Sequence, residues 1–320
     1  MIRAAVLTVC GRPPAMTSRP VPIAGVGQVP IAVAAAPITP LDLLCASGTS
    51  YFGTPALPYV PGVQGVGYRP DGTPVWFATS AGMRPGDGSM AAAVAVPEVD
   101  VVPLRDDVPL PAIAALGLSA VAAHSALTRT GALAEGEQVL VLGAGGVVGQ
   151  SAIQLARLAG ARRVIAVSRS AAARDRALEL GAEAVVPLGA DDDVPAVAAR
   201  LRAAADGPLD LVLDPVFGVP AAAALRVLRP GGRLVNLGSS AAPTAPFDSA
   251  SLRSGSLRIL GYTNNALTVA ERAESLTVVA DHAAAGRLAV THEVVPLEQV
   301  TDAWTRQASG AASGRIVLIV

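Results

Sequence analysis

Apolar and polar positions change their spacing twice along this chain. Over residues 1–110, short alternating runs at 4–9, 31–35, 75–78, 91–96 and 99–102 are separated by proline and glycine. That texture predicts a β-rich, barrel-like unit. A helix-spaced segment follows at 111–130 and is ended by Gly131. Beyond it, continuous apolar runs at 139–142, 164–167, 184–187, 209–214, 233–237 and 257–260 are short enough for strands buried on both faces. Helices are expected between them at 171–180 (before Gly181), at 194–205 after the acidic turn 191–193, and at 219–228 before Pro230-Gly231-Gly232. Six strands with intervening helices predict an α/β fold with a doubly wound parallel sheet, whose ligands lie at the carboxyl ends of the strands. A long helix at 267–288, a run at 293–296, a helix at 297–308 and a strand at 315–320 are expected to complete the first domain. The expected boundaries are 1–110 with 263–320 for the β-rich domain and 111–262 for the parallel sheet.

The run at 139–142 leads into Gly143-Ala144-Gly145-Gly146-Val147-Val148-Gly149, then a helical pattern through Ile153, Leu155, Ala156 and Leu158, then the second run. Strand, glycine turn, helix, strand is the context in which such glycines bind a dinucleotide. Glycine lets the backbone turn sharply and approach a pyrophosphate, and the helix start presents free N–H groups and the positive end of its dipole. Residues just past the second strand choose the cofactor. A carboxylate there accepts hydrogen bonds from a ribose 2′-hydroxyl and repels a 2′-phosphate. This chain has Ser168-Arg169-Ser170 and then Arg174, with no acid until Asp175. A hydroxyl and a guanidinium suit a phosphate, so NADPH is expected rather than NADH.

Composition narrows the chemistry. The chain is 320 residues long and 52% hydrophobic, with a net charge of −1, so no basic field draws it to nucleic acid or a membrane surface. All 24 of its Lys and Arg residues are arginine, which excludes Schiff-base chemistry and a Tyr/Lys proton relay. Two cysteines, Cys10 and Cys45, are too few for a disulfide framework or a four-cysteine zinc lobe. The first ten residues are too short and wrongly flanked for a signal peptide. The alanine-rich window at 112–123 is interrupted by Gly117 and Ser119, with His124 following, so no membrane span is expected. A cytoplasmic protein acting on a small molecule is the expectation.

Taken in order, the segments resemble the medium-chain dehydrogenase/reductase superfamily, in its zinc-independent, quinone oxidoreductase-like branch. The likeness covers nearly the full length. It rests on Thr39-Pro-Leu-Asp42 with Gly48-Thr49, on Leu57-Pro-Tyr-Val-Pro-Gly-Val-Gln-Gly-Val-Gly67 and on Gly86-Asp-Gly-Ser89. The glycine turn, Arg229-Pro-Gly-Gly-Arg-Leu-Val235, Pro296-Leu-Glu-Gln-Val300 and Ser313-Gly-Arg-Ile-Val317 continue it. The resemblance implies a GroES-like β-rich catalytic domain plus a Rossmann domain, and a homodimer formed through the edge strand at 257–260. It implies cofactor contacts from Gly143, Gly146, Val147, Gly149, Ser168, Arg169, Val216, Gly238, Ser239, Tyr262 and Arg315.

Zinc-dependent relatives carry metal ligands where this chain has Thr39, Val63 and Leu118, which cannot build a zinc site. Without metal, the acceptor must be polarised by hydrogen bonds, which favours an enone or quinone whose charge spreads onto a distant oxygen. Tyr51 stands where similar reductases place a tyrosine facing the nicotinamide, or it packs in its loop. Asp42 orients active-site groups with Thr39 nearby, or it caps the helix that follows. Tyr59, Cys45 and His124 read as packing residues. Gln64 replaces the usual glutamate, which leaves the substrate pocket open to other readings. Two remain beside the quinone or enone reductase: a tailoring reductase of a C=O or C=N bond, and an NADPH-binding protein without turnover.

Overall fold

The computed structural model describes residues 1–320 and divides them into two units, Met1–Leu118 with Val269–Val320, and Ser119–Thr268. In the first unit, β1 (Ile2–Val6) and β2 (Ala15–Arg19) form an antiparallel pair. The strand expected at 4–9 ends early. Leu7 makes only an isolated bridge to Tyr59, and Val9 is exposed. β3 (Gln28–Pro37) buries Val29, Ile31 and Val33 and exposes the residues between them, the period-two pattern of a half-buried strand. After α1 (Pro40–Ser47) come β4 (Gln64–Tyr68), β5 (Pro74–Ala78), β6 (Ala93–Pro97) and β7 (Val101–Pro103).

Sequence periodicity misses β4, whose residues Gln-Gly-Val-Gly-Tyr read as a turn. Its glycines are there because neighbours come close. A Cβ on Gly65 would lie 2.7 Å from the Phe77 ring, and one on Gly67 would lie 2.2 Å from the Ala32 carbonyl oxygen.

The helical segment α2 (Leu110–Ser125) is not the single helix expected at 111–130. It breaks at Gly117 (φ 31°, ψ −131°), and residues Ala126–Thr130 continue as one π-helical turn. The buried Gln64 sets the break. Its Oε1 accepts the Trp76 indole N–H at 3.1 Å and the Leu118 N–H at 2.6 Å, and a Cβ on Gly117 would lie 2.0 Å from that oxygen. Contrary to the sequence expectation, Leu110–Thr130 passes for a membrane span by length and composition, its most apolar 18-residue window having a mean hydropathy of 1.6. Its best window is 72% buried inside the protein, which accounts for that hydropathy as core packing.

The second unit carries β8 (Gln138–Leu142), α3 (Val147–Leu158), β9 (Arg163–Ser168), α4 (Ala171–Glu179), β10 (Ala184–Pro187), α5 (Val194–Ala204), β11 (Leu209–Asp214), α6 (Gly218–Leu225), β12 (Leu228–Asn236), α7 (Ser249–Ser254) and β13 (Arg258–Gly261). All six strands are parallel, in the order β10-β9-β8-β11-β12-β13. Counted along the chain this is 3-2-1-4-5-6, the doubly wound order with its switch point between β8 and β11. Both of those strands are buried at every residue. Pro230-Gly231-Gly232, expected to separate a helix from a strand, lies inside β12. A register shift between Leu209–Leu228 and Leu211–Arg233 pairing absorbs it.

The tail supplies α8 (Val269–Ala284), β14 (His292–Pro296), α9 (Val300–Ser309) and β15 (Arg315–Ile319). β15 pairs antiparallel with β3, so the tail is built into the seven-stranded sheet of the first unit, order β14-β15-β3-β4-β5-β7 with β6 also on β3.

Near the amino ends of β8 and β11, the buried Arg233 of β12 ties the parallel sheet together. Arg233 donates to both carboxylate oxygens of Glu137 at 2.6 and 2.5 Å, and to the carbonyls of Gly131 (2.6 Å), Ala132 (3.0 Å) and Asp210 (3.1 Å). A guanidinium with its donors so used is stable in the interior only as a set. Burial pushes the Glu137 carboxyl up, but the bonds from Arg233 and the Ala134 N–H outweigh it and hold it below the usual range. A depressed carboxyl stabilises the fold above its unfolded pKa, and that contribution is lost as pH falls through the folded value. Glu137→Gln should therefore lower unfolding stability by about 3–5 kcal/mol at neutral pH, the scale for breaking a buried pair. It should also flatten the acid limb of the stability profile. Urea unfolding across pH 3–8 reads both, and an unchanged midpoint at pH 7 would refute the role.

Candidate functional site

The glycine turn leaves β8 through Gly143 at φ +66°, a conformation that favours glycine. Side chains are excluded twice over. A Cβ on Gly143 would lie 2.6 Å from Val216 Cγ1, and one on Gly149 would lie 2.4 Å from the Gly143 carbonyl oxygen. The turn is fixed from both sides, by Ala144 N–H on the Val167 carbonyl (3.0 Å) and by the Gln150 amide on the Gly145 carbonyl (3.0 Å). Gly146 is the N-cap of the twelve-residue α3 and no side chain caps it; Gly145 and Gly146 are exposed, while Val147 and Gly149 are buried. A Cβ on Gly146 would meet nothing closer than the Gly143 carbonyl oxygen at 3.7 Å. An exposed helix start with no side-chain cap is an anion site. The residues therefore fit a dinucleotide pyrophosphate.

β9 ends beside this turn. Ser168 is buried, Arg169 and Ser170 are exposed, and Ser170 Oγ caps α4 by accepting the Ala173 N–H at 3.3 Å. A Cβ on Gly145 would lie 3.6 Å from Ser168 Oγ and 3.1 Å from Ala173 Cβ, so turn and strand end are neighbours. Arg174, half-buried, donates to the carbonyls of Ser168 (3.1 Å) and Arg169 (2.8 Å) and so parks a second guanidinium there. Its place on the first turn of α4, five residues beyond Arg169, is the signal for it in the sequence.

The remaining expected contacts of this unit gather at the carboxyl ends of β11, β12 and β13. Val216 and Gly238 follow β11 and β12. The Val216 carbonyl accepts the Ala241 N–H at 2.8 Å, and a Cβ on Gly238 would lie 2.7 Å from the Pro215 carbonyl oxygen. Ser239 is exposed. Tyr262 follows β13, with its N–H on the Asn236 carbonyl (2.8 Å) and its hydroxyl donating to Asn264 Oδ1 (2.6 Å). Burial pushes its phenol up to about 12, against the opposing effect of the Ser125 hydroxyl. Asp214 and Asn236, which no sequence motif marks, hold these loops. The Asp214 carboxylate accepts the N–H groups of Val216 (3.0 Å) and Phe217 (2.7 Å) and the Asn236 amide (2.9 Å).

In the first unit the structure joins Thr39, Asp42 and Arg315, and leaves Tyr51 apart on an exposed loop. Thr39 rather than Asp42 is the N-cap of α1; Asp42 sits at the third helical position and completes a capping box. The buried Asp42 carboxylate accepts the Thr39 N–H (2.8 Å) and hydroxyl (2.6 Å) and the N–H groups of Gly62 (3.1 Å) and Val63 (2.9 Å). Burial pushes this carboxyl up, opposed by the Thr39 and Val63 bonds and the Arg315 charge. Arg315 is only 5% exposed and donates to the Ile38 carbonyl at 2.9 Å; burial lowers its guanidinium to about 10. Ile38 and Asp42, which its charge meets, belong to the interior of this unit. Tyr51 is 77% exposed, and its ring lies tilted at 37° to that of Phe52 with centroids 4.2 Å apart. Val63 and Cys45 are buried in the core, and no three His, Cys, Asp or Glu side chains converge on one point.

Comparison with known proteins agrees with this layout. A family profile described as "Zinc-binding dehydrogenase" matches residues 147–280. Among solved structures, the quinone oxidoreductase from Thermus thermophilus, solved also in complex with NADPH, is 29% identical, with a TM-score of 0.84, covering 99% of this chain and 100% of that one. A mycobacterial quinone oxidoreductase covers 100% of both chains at a TM-score of 0.89 and 23% identity, a likeness of fold. Among curated sequences, a phenolphthiocerol/phthiocerol polyketide synthase polypeptide of Mycobacterium tuberculosis is 29% identical over 307 residues, 92% of this chain. The chain spans only 14% of that relative's length.

Gly146→Asp isolates the helix start as the anion site. Gly146 has an extended backbone (φ −80°, ψ 162°) and open space above it, and aspartate is a strong N-cap, so the fold should keep or gain stability. The new carboxylate takes the free amides and repels a pyrophosphate, so dinucleotide affinity should fall by ~10-fold or more. Thermal melting and a fluorescence titration with a nicotinamide dinucleotide separate the two; undiminished affinity in a folded variant would place the pyrophosphate elsewhere.

Proposed function

We infer that the chain is a member of the medium-chain dehydrogenase/reductase superfamily, in its quinone oxidoreductase-like branch. From that premise we propose that it is an NADPH-dependent, metal-free reductase acting on an activated C=C bond or a quinone. The observation that carries the reading is the donor set at the family's metal positions. Thr39 spends its hydroxyl on α1, Val63 is apolar and buried, and Leu118 offers a backbone N–H already taken by Gln64. NADPH, when bound, supplies a hydride, and the chain's own residues hold it and manage charge. The α3 start with Gly143, Gly146, Val147 and Gly149 takes the pyrophosphate; Ser168, Arg169 and Arg174 take the 2′-phosphate; Val216, Gly238, Ser239 and Tyr262 line the loops of the second half. Arg315 supports Asp42 rather than the phosphates.

With no Lewis acid, the acceptor oxygen must be met by a hydrogen-bond donor, which favours conjugated acceptors. Tyr51 is the donor proposed here, with Thr39 and Asp42 holding α1, from which its loop departs. The name of the Thermus relative brings quinones to the head of the substrate panel. A homodimer through β13 fits the strand's place at the sheet edge and its exposed Arg258, Ile259 and Gly261.

Cofactor choice is tested by binding. A charge-assisted contact to a 2′-phosphate is worth about 1.5–3 kcal/mol, so the wild type should prefer NADPH over NADH by roughly 10- to 100-fold. Arg169→Ala and Arg174→Ala should each weaken NADPH and leave NADH nearly unchanged, and added salt should narrow the gap. Equal affinities for the two cofactors in the wild type would sink the assignment.

Turnover is tested with quinones, enones, cyclic imines and ketones, following loss of nicotinamide absorbance. Quinones or enones should be reduced fastest, with no change after prolonged chelation. Tyr51→Phe should lower kcat/KM by ~10- to 1,000-fold, the range for one oxygen-directed donor. A chelator-sensitive rate restored by zinc would refute the metal-free reading, and full activity in Tyr51→Phe would refute the donor.

A further inference from the structure

The loops after β11 and β12 are joined more tightly than their sequence suggests, and the links centre on one buried carboxylate. Asp214, the last residue of β11, is 0% exposed. One carboxylate oxygen accepts the N–H groups of Val216 and Phe217, and the other accepts the Asn236 amide. Asn236, the last residue of β12, spends the same amide on the Asp214 carbonyl (3.2 Å) and the Gly238 carbonyl (2.8 Å). Beyond this clamp, the Pro215 carbonyl accepts the Ser240 N–H at 3.4 Å, and the Val216 carbonyl accepts the Ala241 N–H at 2.8 Å.

The clamped turn is also strained. Phe217 stands at φ +63°, ψ −161°, a region that is costly for a residue with a side chain. Such a conformation persists only where its surroundings over-determine it, and here the Phe217 N–H bond to the carboxylate and the edge-on contact with Phe247 at 5.6 Å do so. Val216, held inside this turn, is the residue packed against Gly143 of the pyrophosphate turn.

We propose that Asp214 is a positioning residue for the half of the dinucleotide that carries the nicotinamide. The proposal rests on the NADPH reading above and deepens it. A doubly wound sheet is two mononucleotide-binding halves. The glycine turn, Ser168, Arg169 and Arg174 belong to the half built on β8, β9 and β10, so the adenosine side lies there. Asp214 and Asn236 organise the loops of the other half, built on β11, β12 and β13. Replacing the carboxylate with an amide sets an N–H₂ group against the Asn236 N–H₂ group, or takes an acceptor from the Phe217 turn. Either way the clamp opens, while the hydrogen bonds that fix the glycine turn, from the Ala144 N–H to the Val167 carbonyl and from the Gln150 amide to the Gly145 carbonyl, do not involve it.

Two probes therefore part company. NADPH engages both halves, whereas adenosine 2′,5′-bisphosphate engages only the first. In Asp214→Asn, the Kd for NADPH should rise by about 10- to 100-fold, the scale of one lost charge-assisted hydrogen bond, while the Kd for the bisphosphate should stay within about twofold. Asn236→Ala, which opens the same clamp without altering the carboxylate, should separate the probes in the same direction and serves if Asp214→Asn does not fold. Titration of each protein with both probes, without any acceptor, gives the result. Equal loss of both probes, or loss of neither, overturns the inference while leaving the NADPH reading intact. A wild type that binds neither probe overturns both.

Discussion

Side-by-side pairing of β8 with β11 is the constraint from which the candidate site follows. The two strands are buried on both faces and begin connections that wind away in opposite directions, so a crevice opens where their carboxyl ends meet. That pairing needs partners at both ends. At the base, Arg233 draws Glu137, Gly131, Ala132 and Asp210 onto one guanidinium. At the top, Asp214 and Asn236 join the loops that leave the sheet. The charged set at the base makes stability depend on pH and the one at the top shapes a surface, but each answers the same need: polar groups at the end of a buried strand require a partner within the protein.

Much of this unit could be read from sequence. Six apolar runs and the glycine turn carry their meaning locally, since each rests on the spacing of neighbours. The six strands lie within a few residues of where those runs place them, and the turn meets the strand end that carries Ser168. The features that escaped are non-local. Nothing in Gln-Gly-Val-Gly-Tyr announces a strand until Phe77 and Ala32 are seen against its glycines. Nothing in Pro230-Gly231-Gly232 announces a strand interior, because the register shift that admits it shows only when β12 is paired with β11. Asp214 looks like an ordinary strand terminus until Asn236, 22 residues on, is set beside it.

The β-rich unit shows the converse. Thr39-Pro-Leu-Asp42 was legible as something that matters, but not as what. Its two side chains complete a capping box, and the second also binds the backbone at Gly62 and Val63. A pattern of this kind can persist because it holds one loop against one helix. Arg315 behaves likewise. Read from sequence as a phosphate ligand, it is buried, donates to the Ile38 carbonyl and feels the charge of Asp42. Residue type alone does not separate a ligand from a strut; burial does.

The break in α2 bears on how the chain can diverge. Because the Gln64 amide fills the space beside residue 117, and because that residue has a left-handed φ, no single replacement at 117 fits. Shortening residue 64 first would strip the Trp76 indole and the Leu118 amide of their acceptor. Neither step is open by itself, so the two positions form an epistatic lock. Descendants of this chain should keep glycine at 117 wherever residue 64 is a glutamine or a glutamate, and a shorter residue at 64 should appear only with a change at 117, so in an alignment the two columns should co-vary despite the 53 residue steps between them.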